Sequence, residues 1–325
     1  MRKGFSADHT NITYIGRWAD LPAAEGTVKL AVTSGGSVRF KFTGPSVKLV
    51  FMPFTADKLM PEISYSIDGK PPVRIPLKDE VAVAGLVAGE HSFVLWVEGV
   101  ATPLNVQRWT SRQGVGLRCV ELAANGRLSP YPTGNTKKLL IIGDSMGEGL
   151  LMLGGTAAEN YPRYANARLN FGNQLGAMIH ADVWFQCFGG AAISVPFGGV
   201  PPAPDNYPFI LQGVEHKDPS FDGILIEACH NDAGVEAGRF VESYKTLIER
   251  VRKANPHAVI FLFPPLKPYV PDKFELVRSV AADMKCVFID NSAWQVDMPN
   301  ENHPGVKGHT QLAEHLKFII GPRLK

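Results

Sequence analysis

Several residues with reactive or hydrogen-bonding groups follow directly after short apolar runs of this 325-residue chain. Ser145 comes after the run Leu-Leu-Ile-Ile-Gly-Asp, and its hydroxyl could act as a nucleophile. Gly189 and Gly190 follow a second run and could offer backbone N–H groups, while Asn231 follows a third run and could offer an amide. His303 precedes the last helical pattern and could act as a general base. Together these groups predict nucleophilic attack on a carbonyl, with donors for the oxyanion that forms.

Each of these groups also has an ordinary structural interpretation when it is taken alone. A serine after a strand often caps a helix, paired glycines often form a tight turn, and an Asn-Asp pair often forms a turn or a cap. The chemical interpretation therefore depends on the joint order of a nucleophile, oxyanion donors and a base along the chain.

The residues from 131 to 325 alternate apolar runs with amphipathic segments. The strand-like runs lie at 138–143, 182–188, 223–228, 258–263 and 286–290. The clearest helical patterns lie at 238–254 and at about 306–320. This alternation predicts an α/β domain with a parallel sheet covered on both faces, in which ligands bind at the carboxyl ends of the strands. A turn into a helix after the first strand would place Ser145 near the start of that helix.

Short strands dominate the residues from 1 to 130. The strand patterns lie at 37–43, 46–52, 62–70 and 91–99. In the first of them Val38, Phe40 and Phe42 alternate with basic residues, as in a half-buried strand. Because strands recur regularly without a convincing helical pattern, this part is predicted to be a β-sandwich. The Pro- and Gly-containing stretch 125–138 is the best candidate for a linker between the two domains.

Composition and charge argue against several classes of function. The net charge is +2 and no basic run is long, so a nucleic-acid partner is not expected. The four cysteines show no paired spacing, and small buried thiols are expected rather than a metal site. No apolar run is long enough to cross a membrane, and no signal peptide is visible, so the chain as given reads as cytoplasmic. A secreted or periplasmic chain whose signal peptide had been removed would look the same.

The histidines near the C-terminus do not form a metal-ligand pattern. His303, His309 and His315 recur every six residues, and each such step turns a helix by about 240° net. They therefore cannot share one helix face as two ligands four residues apart do. His309 and His315 are expected to be surface or packing residues, and no metal or organic cofactor is expected.

Four sequence blocks resemble those of the SGNH, or GDSL-type, hydrolases. They are "IIGDSMGEG", "CFGGAAIS", "ACHND" and "NENHPGVKGHTQLAEHL", which together span about residues 138–320. The resemblance implies a flavodoxin-like α/β fold of three layers with a parallel sheet, here preceded by a jelly-roll-like β-sandwich. It implies a nucleophile, Ser145, a base, His303, and oxyanion donors at Ser145, Gly189, Gly190 and Asn231. The GxSxG motif of the α/β-hydrolase fold is absent.

Three departures from the family pattern bear on this chemistry. The residue three before the catalytic histidine is usually Asp but is Asn300 here, which cannot supply a charge although its oxygen could orient the imidazole. Asp297 and then Glu301 are further candidates for the acid, and a Ser-His dyad oriented by a carbonyl is the preferred account. Cys229 replaces the glycine of the third block. The glycine block aligns ambiguously, which leaves Ala192 as another backbone donor.

The two-domain arrangement resembles the second family of carbohydrate esterases. The segments "ITYIGRW", "SIDGK" and "GLVAGEHSFVLWVEG" are similar to the N-terminal domain of that family, whose histidine also lacks the usual Asp. The resemblance implies removal of acetyl groups from plant-polysaccharide sugars, so an acetylated oligo- or polysaccharide is the expected partner. Trp294 could stack on a sugar ring or simply pack in its loop, and the insertion 194–209 is expected to form a pocket wall.

Two other functions are compatible with the same residues. One is hydrolysis of a different ester, such as a short-chain acyl ester, a lysophospholipid or another O-acetylated glycan. A lipid substrate predicts an apolar trench, whereas a sugar predicts an open cleft with an aromatic floor. The other is a glycan-binding protein with an inactive hydrolase domain, although the joint presence of Ser145, Asn231 and His303 argues against it.

Overall fold

The computed structural model describes residues 2–24, 26–54, 59–100, 108–132, 134–156, 162–266, 270–300 and 302–324. Within these residues the N-terminal part contains the four-residue helix α1 (Arg108–Ser111) and a series of strands. The strands are β1 (Arg2–Ser6), β2 (Thr13–Ile15), β3 (Ala19–Ala23), β4 (Gly26–Ala31), β5 (Ser37–Thr43), β6 (Ser46–Phe51), β7 (Glu62–Ile67), β8 (Val73–Pro76), β9 (Glu80–Ala84), β10 (Glu90–Gly99), β11 (Val115–Ala123) and β12 (Leu128–Ser129).

Two antiparallel sheets are formed by these strands. One has the order β3-β4-β11-β6-β9, with β1 also paired to β11, and the other has the order β12-β5-β10-β7-β8, with β2 also paired to β5. Alternate residues of the facing strands enter one shared core, in which Phe40 and Phe42 of β5 lie with Leu49 and Phe51 of β6. The two sheets thus face each other as in a β-sandwich. The jelly-roll-like form of this sandwich stays a prediction.

The C-terminal part alternates strands with helices. Its strands are β13 (Lys137–Gly143), β14 (Ala181–Cys187), β15 (Phe209–Leu211), β16 (Val214–Glu215), β17 (Gly223–Ile226), β18 (Val259–Leu262) and β19 (Val287–Phe288), and its helices are α2 (Phe171–Ile179), α3 (Ala203–Asn206), α4 (Ala237–Ala254), α5 (Pro271–Asp283) and α6 (Val306–Ile320). Five strands form a parallel sheet of order β14-β13-β17-β18-β19, the flavodoxin-like order that the resemblance implies. None of the described helices combines the length and hydropathy needed to cross a bilayer.

Strand β13, which lies between β14 and β17, is buried on both faces, which accounts for its unbroken apolar sequence. Leu139 and Ile141 pack in the layer that contains α2 and α6. Leu140 and Ile142 pack in the opposite layer, which contains α4 and α5. The sheet therefore lies between two helical layers, and the carboxyl end of β13 delivers the chain to Ser145.

The segment after β13 departs from the sequence prediction, because it forms consecutive turns instead of a helix. The N–H of Leu150 donates to the carbonyl of Ser145, five residues back, at 3.0 Å. Leu151 then adopts a left-handed conformation with φ of 54°, which interrupts any right-handed helix. Ser145 therefore lies in an irregular turn, and its position depends on contacts from outside the segment.

The two parts of the chain are joined by an apolar cluster and by charged pairs. Leu30 and Val32 of the sandwich pack in one cluster with Trp109 of α1 and with Phe188, which follows β14. This cluster accounts for the second departure from the sequence prediction, the presence of α1 in a part expected to be all β, since α1 places Trp109 in this contact. Gly35 contacts the sheet directly: with φ of +96°, an added Cβ would lie 2.5 Å from the Phe185 ring.

We expect Gly35→Ala to destabilise the protein by about 1–3 kcal/mol more than Gly85→Ala. Both glycines have positive φ, but an added Cβ at Gly85 meets no atom within 4 Å. The difference between the two variants therefore reports the collision with Phe185 rather than backbone strain. Urea denaturation would measure it, and equal losses in the two variants would show that the sandwich does not press on the sheet at this point.

Candidate active site

Ser145 and His303 meet at the carboxyl edge of the parallel sheet. The Nε2 atom of His303 lies 2.9 Å from the Oγ atom of Ser145, within hydrogen-bond distance. His303 lies three residues before α6, and its backbone N–H donates to the carbonyl of Asn300 at 3.0 Å. The structure thus brings together the predicted nucleophile and base, which are 158 residues apart in the chain. This contact is what a general base needs to take the hydroxyl proton.

Hydrogen bonds around Ser145 hold the turn but leave its own N–H unused. The carboxylate of Asp144 accepts the N–H of Met146 at 3.0 Å, and the side chain of Asn170 donates to the carbonyl of Gly147. Among the described residues, none accepts a hydrogen bond from the N–H of Ser145. That N–H is therefore available to an oxyanion.

Three carboxylate or amide side chains help to hold the turn at residues 189–194, which we call the oxyanion turn. At its start, the N–H of Gly189 donates to the carboxylate of Glu148 at 2.8 Å. In its middle, the amide of Asn231 donates to the carbonyl of Ala191 at 2.9 Å. At its end, the buried carboxylate of Asp232 accepts the N–H groups of residues 193 and 194 at 2.8 and 2.9 Å. Asn231 and Asp232, which are adjacent in the sequence, thus both anchor the oxyanion turn.

These contacts change the set of oxyanion donors that the sequence predicts. Gly189 is not available, contrary to the prediction, because its N–H is bonded to a buried carboxylate. The N–H groups of Gly190 and Ala192 have no acceptor among the described residues. The amide nitrogen of Asn231 donates to Asp144 at 3.1 Å as well as to Ala191, so one of its hydrogens must be redirected before it can reach an oxyanion. Ser145, Gly190 and Ala192 are therefore the backbone groups of these segments whose N–H is available to an oxyanion.

Phe197 is a residue of this site that the sequence interpretation missed. It exchanges two backbone hydrogen bonds with Val200, at 3.0 and 2.9 Å, within the insertion 194–209. Its ring lies against Gly190, where an added Cβ would overlap it, and the residue is 36% exposed. An aromatic surface therefore borders the oxyanion turn. An aromatic residue inside a Pro- and Gly-rich insertion is the sequence signal that could have indicated it.

Among the described residues, no hydrogen bond joins His303 to the side chain of Asn300 or Asp297, the two candidates for orienting the imidazole. The amide nitrogen of Asn300 donates to the carbonyl of the strained Leu151 at 2.7 Å. Asp297 participates through its backbone, whose N–H donates to Gln311 at 2.9 Å. Among the described residues, no hydrogen bond or ion pair joins the carboxylate of Asp297 to His303. Glu301 lies outside the described residues, and the carbonyl-oriented dyad stays a prediction.

Of the two roles left open for Trp294, the structure shows packing against neighbouring side chains. Its ring stacks on His315 with a centroid distance of 4.4 Å and an interplanar angle of 13°, and it contacts Phe263 at 5.7 Å. It packs against the core between the sheet and α6. The face of its ring that stacks on His315 is therefore covered by the protein.

A buried cluster of Asp144, Glu227 and His230 lies behind the nucleophile. The Nδ1 atom of His230 is 3.3 Å from Asp144 and 3.6 Å from Glu227, and its Nε2 accepts the N–H of Leu266 at 3.3 Å. Burial, together with the neighbouring charge of Asp144, raises the pKa of Glu227 to about 8. Glu227 therefore takes up a proton more readily than an exposed carboxyl does.

Among the described residues, these three side chains also lie close enough together to hold a metal ion, since their possible ligand atoms are all within 4.8 Å of one another. Its carboxylates are already used as acceptors, since Asp144 bonds Met146 and Asn231, and Glu227 accepts the N–H of Asp144 at 3.3 Å. His309 does not join it: burial lowers the pKa of His309 to about 3, and its neutral ring accepts the N–H of Phe171.

A cavity of about 110 Å³ opens beside the nucleophile. Ser145 and His303 line it together with His230, Leu266 and Met298. Pockets for drug-sized ligands are several times larger, roughly 300–1,000 Å³. The cavity next to the reactive oxygen therefore suits a small group.

Comparison with known proteins places this site in a recognisable fold. No family model matches the chain. A curated relative, the cellulase/esterase CelE of Acetivibrio thermocellus, is 25% identical over 267 residues, which is 74% of this chain. The chain spans about a third of that relative's length, since the match covers 31% of it.

Two solved structures share the whole architecture. A family two carbohydrate esterase from Cellvibrio japonicus has a TM-score of 0.80 at 18% identity, with 100% of this chain and 98% of that chain covered. An acetyl xylan esterase, Est2A, from the rumen bacterium Butyrivibrio proteoclasticus has a TM-score of 0.78 at 17% identity, with the same coverage. These matches confirm the resemblance seen in the sequence. At such identities they establish that the chain has the two-domain fold of these esterases.

We expect Gly190→Ala to lower kcat for 4-nitrophenyl acetate on the order of 10²-fold, the usual effect of losing one oxyanion donor. The added Cβ would overlap Phe197, and the φ of +80° is unfavourable for alanine, so the turn, the Phe197 ring or both must shift. Gly213→Ala is the matched control, because its φ is +75° and its added Cβ meets no atom within 4 Å. Unchanged kcat in a folded Gly190→Ala protein would show that kcat does not depend on the backbone conformation at Gly190.

We expect Asn300→Asp, which installs the usual family residue, to leave kcat no higher than in the wild type. A carboxylate cannot donate to the carbonyl of Leu151, and we expect the protein to lose about 1–3 kcal/mol of stability. Steady-state kinetics and urea denaturation would test this, with Asn300→Ala as the variant that removes the donor without adding charge. A rise in kcat would show instead that position 300 can serve as the acid.

Proposed function

We propose that the chain is a serine esterase that removes O-acetyl groups from plant-type oligo- or polysaccharides through an acyl-enzyme. The observation that carries this proposal is the 2.9 Å contact between Ser145 and His303 beside a cavity of about 110 Å³. A nucleophile, its base and unused N–H groups meet there at the carboxyl edge of the sheet.

Acylation uses the groups already in contact. The Oγ atom of Ser145 attacks the ester carbonyl carbon while Nε2 of His303 takes the hydroxyl proton. The N–H groups of Ser145 and Gly190 stabilise the negative oxygen of the tetrahedral intermediate. When the intermediate collapses, the bond to the sugar oxygen breaks, and His303 returns the proton to that oxygen. The acyl group stays on Ser145.

Deacylation repeats the sequence with water. His303 takes a proton from a water molecule, which attacks the carbonyl carbon of acetyl-Ser145, and the same N–H groups stabilise the second intermediate. Its collapse breaks the bond to Oγ, His303 returns the proton to Ser145, and acetate leaves. Every proton in this cycle passes through His303, so the reaction as proposed needs no metal or organic cofactor.

The acyl group and the alcohol are inferred from different observations. The small cavity supports a short acyl chain such as acetyl. Among the described residues, the groups that line the cavity around Ser145 do not form the long apolar trench expected for a lipid substrate. Support for a sugar alcohol comes from the esterase names of the relatives, above all the acetyl xylan esterase. The exposed ring of Phe197 next to the oxyanion turn is a surface against which a sugar ring could lie.

The test is acetate release from acetylated xylan and glucomannan oligosaccharides. We expect Ser145→Ala and His303→Ala to lose at least about 10³-fold in kcat, because each removes a group that moves in both half-reactions. Ser292→Ala is a matched control, since Ser292 is exposed and lies outside the site.

The outcomes separate the alternatives. Release from the oligosaccharides that depends on Ser145 supports the proposal. Hydrolysis of 4-nitrophenyl acetate without release from either glycan would overturn the substrate class and leave another ester as the substrate. No hydrolysis of any of these esters by the wild type would overturn the esterase and favour glycan binding.

A further inference from the structure

We propose that Arg108, a residue of the N-terminal part, is a positioning residue for the oxyanion turn and acts through Glu148. The inference rests on the proposed function, because it assigns to the β-sandwich part a role in the same reaction. Arg108 touches neither the nucleophile nor the cavity. Its effect on the reaction would pass through one carboxylate to the N–H of Gly189.

The first link is a buried ion pair between the two parts of the chain. Arg108 and Glu148 have 0% and 1% of their side-chain surfaces exposed. The guanidinium donates from Nη1 to Oε1 at 2.7 Å and from Nη2 to Oε2 at 3.1 Å, so both oxygens are engaged. Nη1 also donates to the carbonyl of Val32, just after β4, at 2.9 Å. The sandwich thus holds the arginine, and the arginine holds the carboxylate.

The second link joins that carboxylate to the oxyanion turn. Oε2 of Glu148 accepts the N–H of Gly189 at 2.8 Å, in addition to the bond from Arg108. Gly189 immediately precedes Gly190, whose N–H is the proposed donor. A shift of the first peptide of the turn therefore moves the second, and an error near 1 Å in a catalytic donor can cost on the order of 10² in rate.

The charge of Arg108 is needed for this geometry. Burial raises the pKa of Glu148, the charge of Arg108 opposes that rise, and Asp144 is the other charged group that acts on it. Without the guanidinium, the pKa of this carboxyl would rise further, and the carboxyl would take up a proton more readily. A protonated carboxyl no longer needs to accept from Gly189, and the start of the turn loses its fixed partner.

The side chains packed around the Arg108–Glu148 pair lie next to the oxyanion turn, which supports a role in positioning that turn rather than in overall stability alone. The guanidinium lies 5.4 Å from the ring centroid of Phe188, the residue before Gly189. Trp109, the next residue of α1, meets the same ring edge-on at 5.8 Å. Of the three anchors of the oxyanion turn, Asn231 and Asp232 come from the C-terminal part. The anchor at Glu148 is the one that the sandwich part holds.

A matched control exists within the same molecule. Arg17 also joins the two parts of the chain, through a buried pair with Asp218 at 2.8 Å and a bond to the carbonyl of Tyr207 at 2.8 Å. Asp218 precedes β17, at the amino edge of the sheet, whereas Ser145 lies at the carboxyl edge. Substitutions at Arg17 and Arg108 therefore both break a buried inter-part ion pair. Arg108 bonds the carboxylate that accepts the N–H of Gly189 in the oxyanion turn, whereas Arg17 bonds the carbonyl of Tyr207, near the far end of the insertion 194–209.

The experiment compares Arg108→Gln with Arg17→Gln in the full chain, using 4-nitrophenyl acetate and acetylated xylo-oligosaccharides. For Arg108→Gln we expect kcat at pH 7 to fall on the order of 10²-fold with both esters, while KM changes less than about twofold. We also expect the ratio of this variant's kcat to the wild-type kcat to rise with pH, as Glu148 ionises. Arg17→Gln should lower the melting temperature but keep kcat and its pH profile.

A second readout does not depend on activity. Hydrogen–deuterium exchange at residues 187–194 should become at least about tenfold faster in Arg108→Gln and stay unchanged in Arg17→Gln. If the wild type hydrolyses neither ester, the proposed function fails and this exchange still decides the positioning role. If Arg108→Gln does not fold, Arg108→Lys is the alternative, because it keeps the charge but loses the bidentate contact with Glu148. We then expect a smaller fall in kcat and a smaller increase in exchange at residues 187–194.

Three results would overturn the proposal. The first is a kcat loss in Arg108→Gln no larger than that in Arg17→Gln. The second is a loss that appears in KM alone, and the third is unchanged exchange at residues 187–194 in a folded variant. Each would mean that the pair serves stability and not the turn.

Discussion

An oxyanion turn has to leave backbone N–H groups without protein partners, and it keeps its shape only if its remaining polar groups have fixed ones. In this protein Glu148, Asn231 and Asp232 provide those partners, and each comes from a different place than the turn itself. The strands β13, β14 and β17 lie side by side, so the segments that follow them meet at one edge of the sheet. The fold therefore serves mainly to bring anchors and turn within hydrogen-bond distance.

The same requirement explains why the two parts of the chain share buried surface. The irregular turn after β13 has no helix to stabilise it, and its residues depend on contacts from elsewhere. Asn300 bonds the strained Leu151, and Arg108 bonds Glu148 from the sandwich side. Around these polar contacts, Trp109 and Phe188 exclude water with a continuous apolar cluster. The contacts that Arg108 and Trp109 make from the sandwich side thus reach the segments that follow β13 and β14, while the Arg17–Asp218 pair joins the two parts at the other edge of the sheet.

The sequence alone predicted the features that depend on local periodicity. The two-residue alternation of β5, the apolar run of β13 and the helical pattern of α6 all lie where they were expected. The order of strands then indicates why Ser145 and His303 meet. What the sequence could not predict is which partner each polar group selects, because Glu148 and Gly189 are 41 residues apart and no spacing rule connects them. The role of Trp294 was left open for the same reason, since an aromatic residue on a loop does not reveal which surface covers it.

The contact between Phe197 and Gly190 has a consequence for how such sites diversify. The aromatic ring occupies the space that any side chain at position 190 would need, so the two positions cannot change independently. A descendant that gains a side chain in the turn must first shrink or turn away the ring, and with it the surface that borders the substrate. Substrate preference and the geometry of oxyanion binding are therefore inherited together in this protein, as one linked pair of positions.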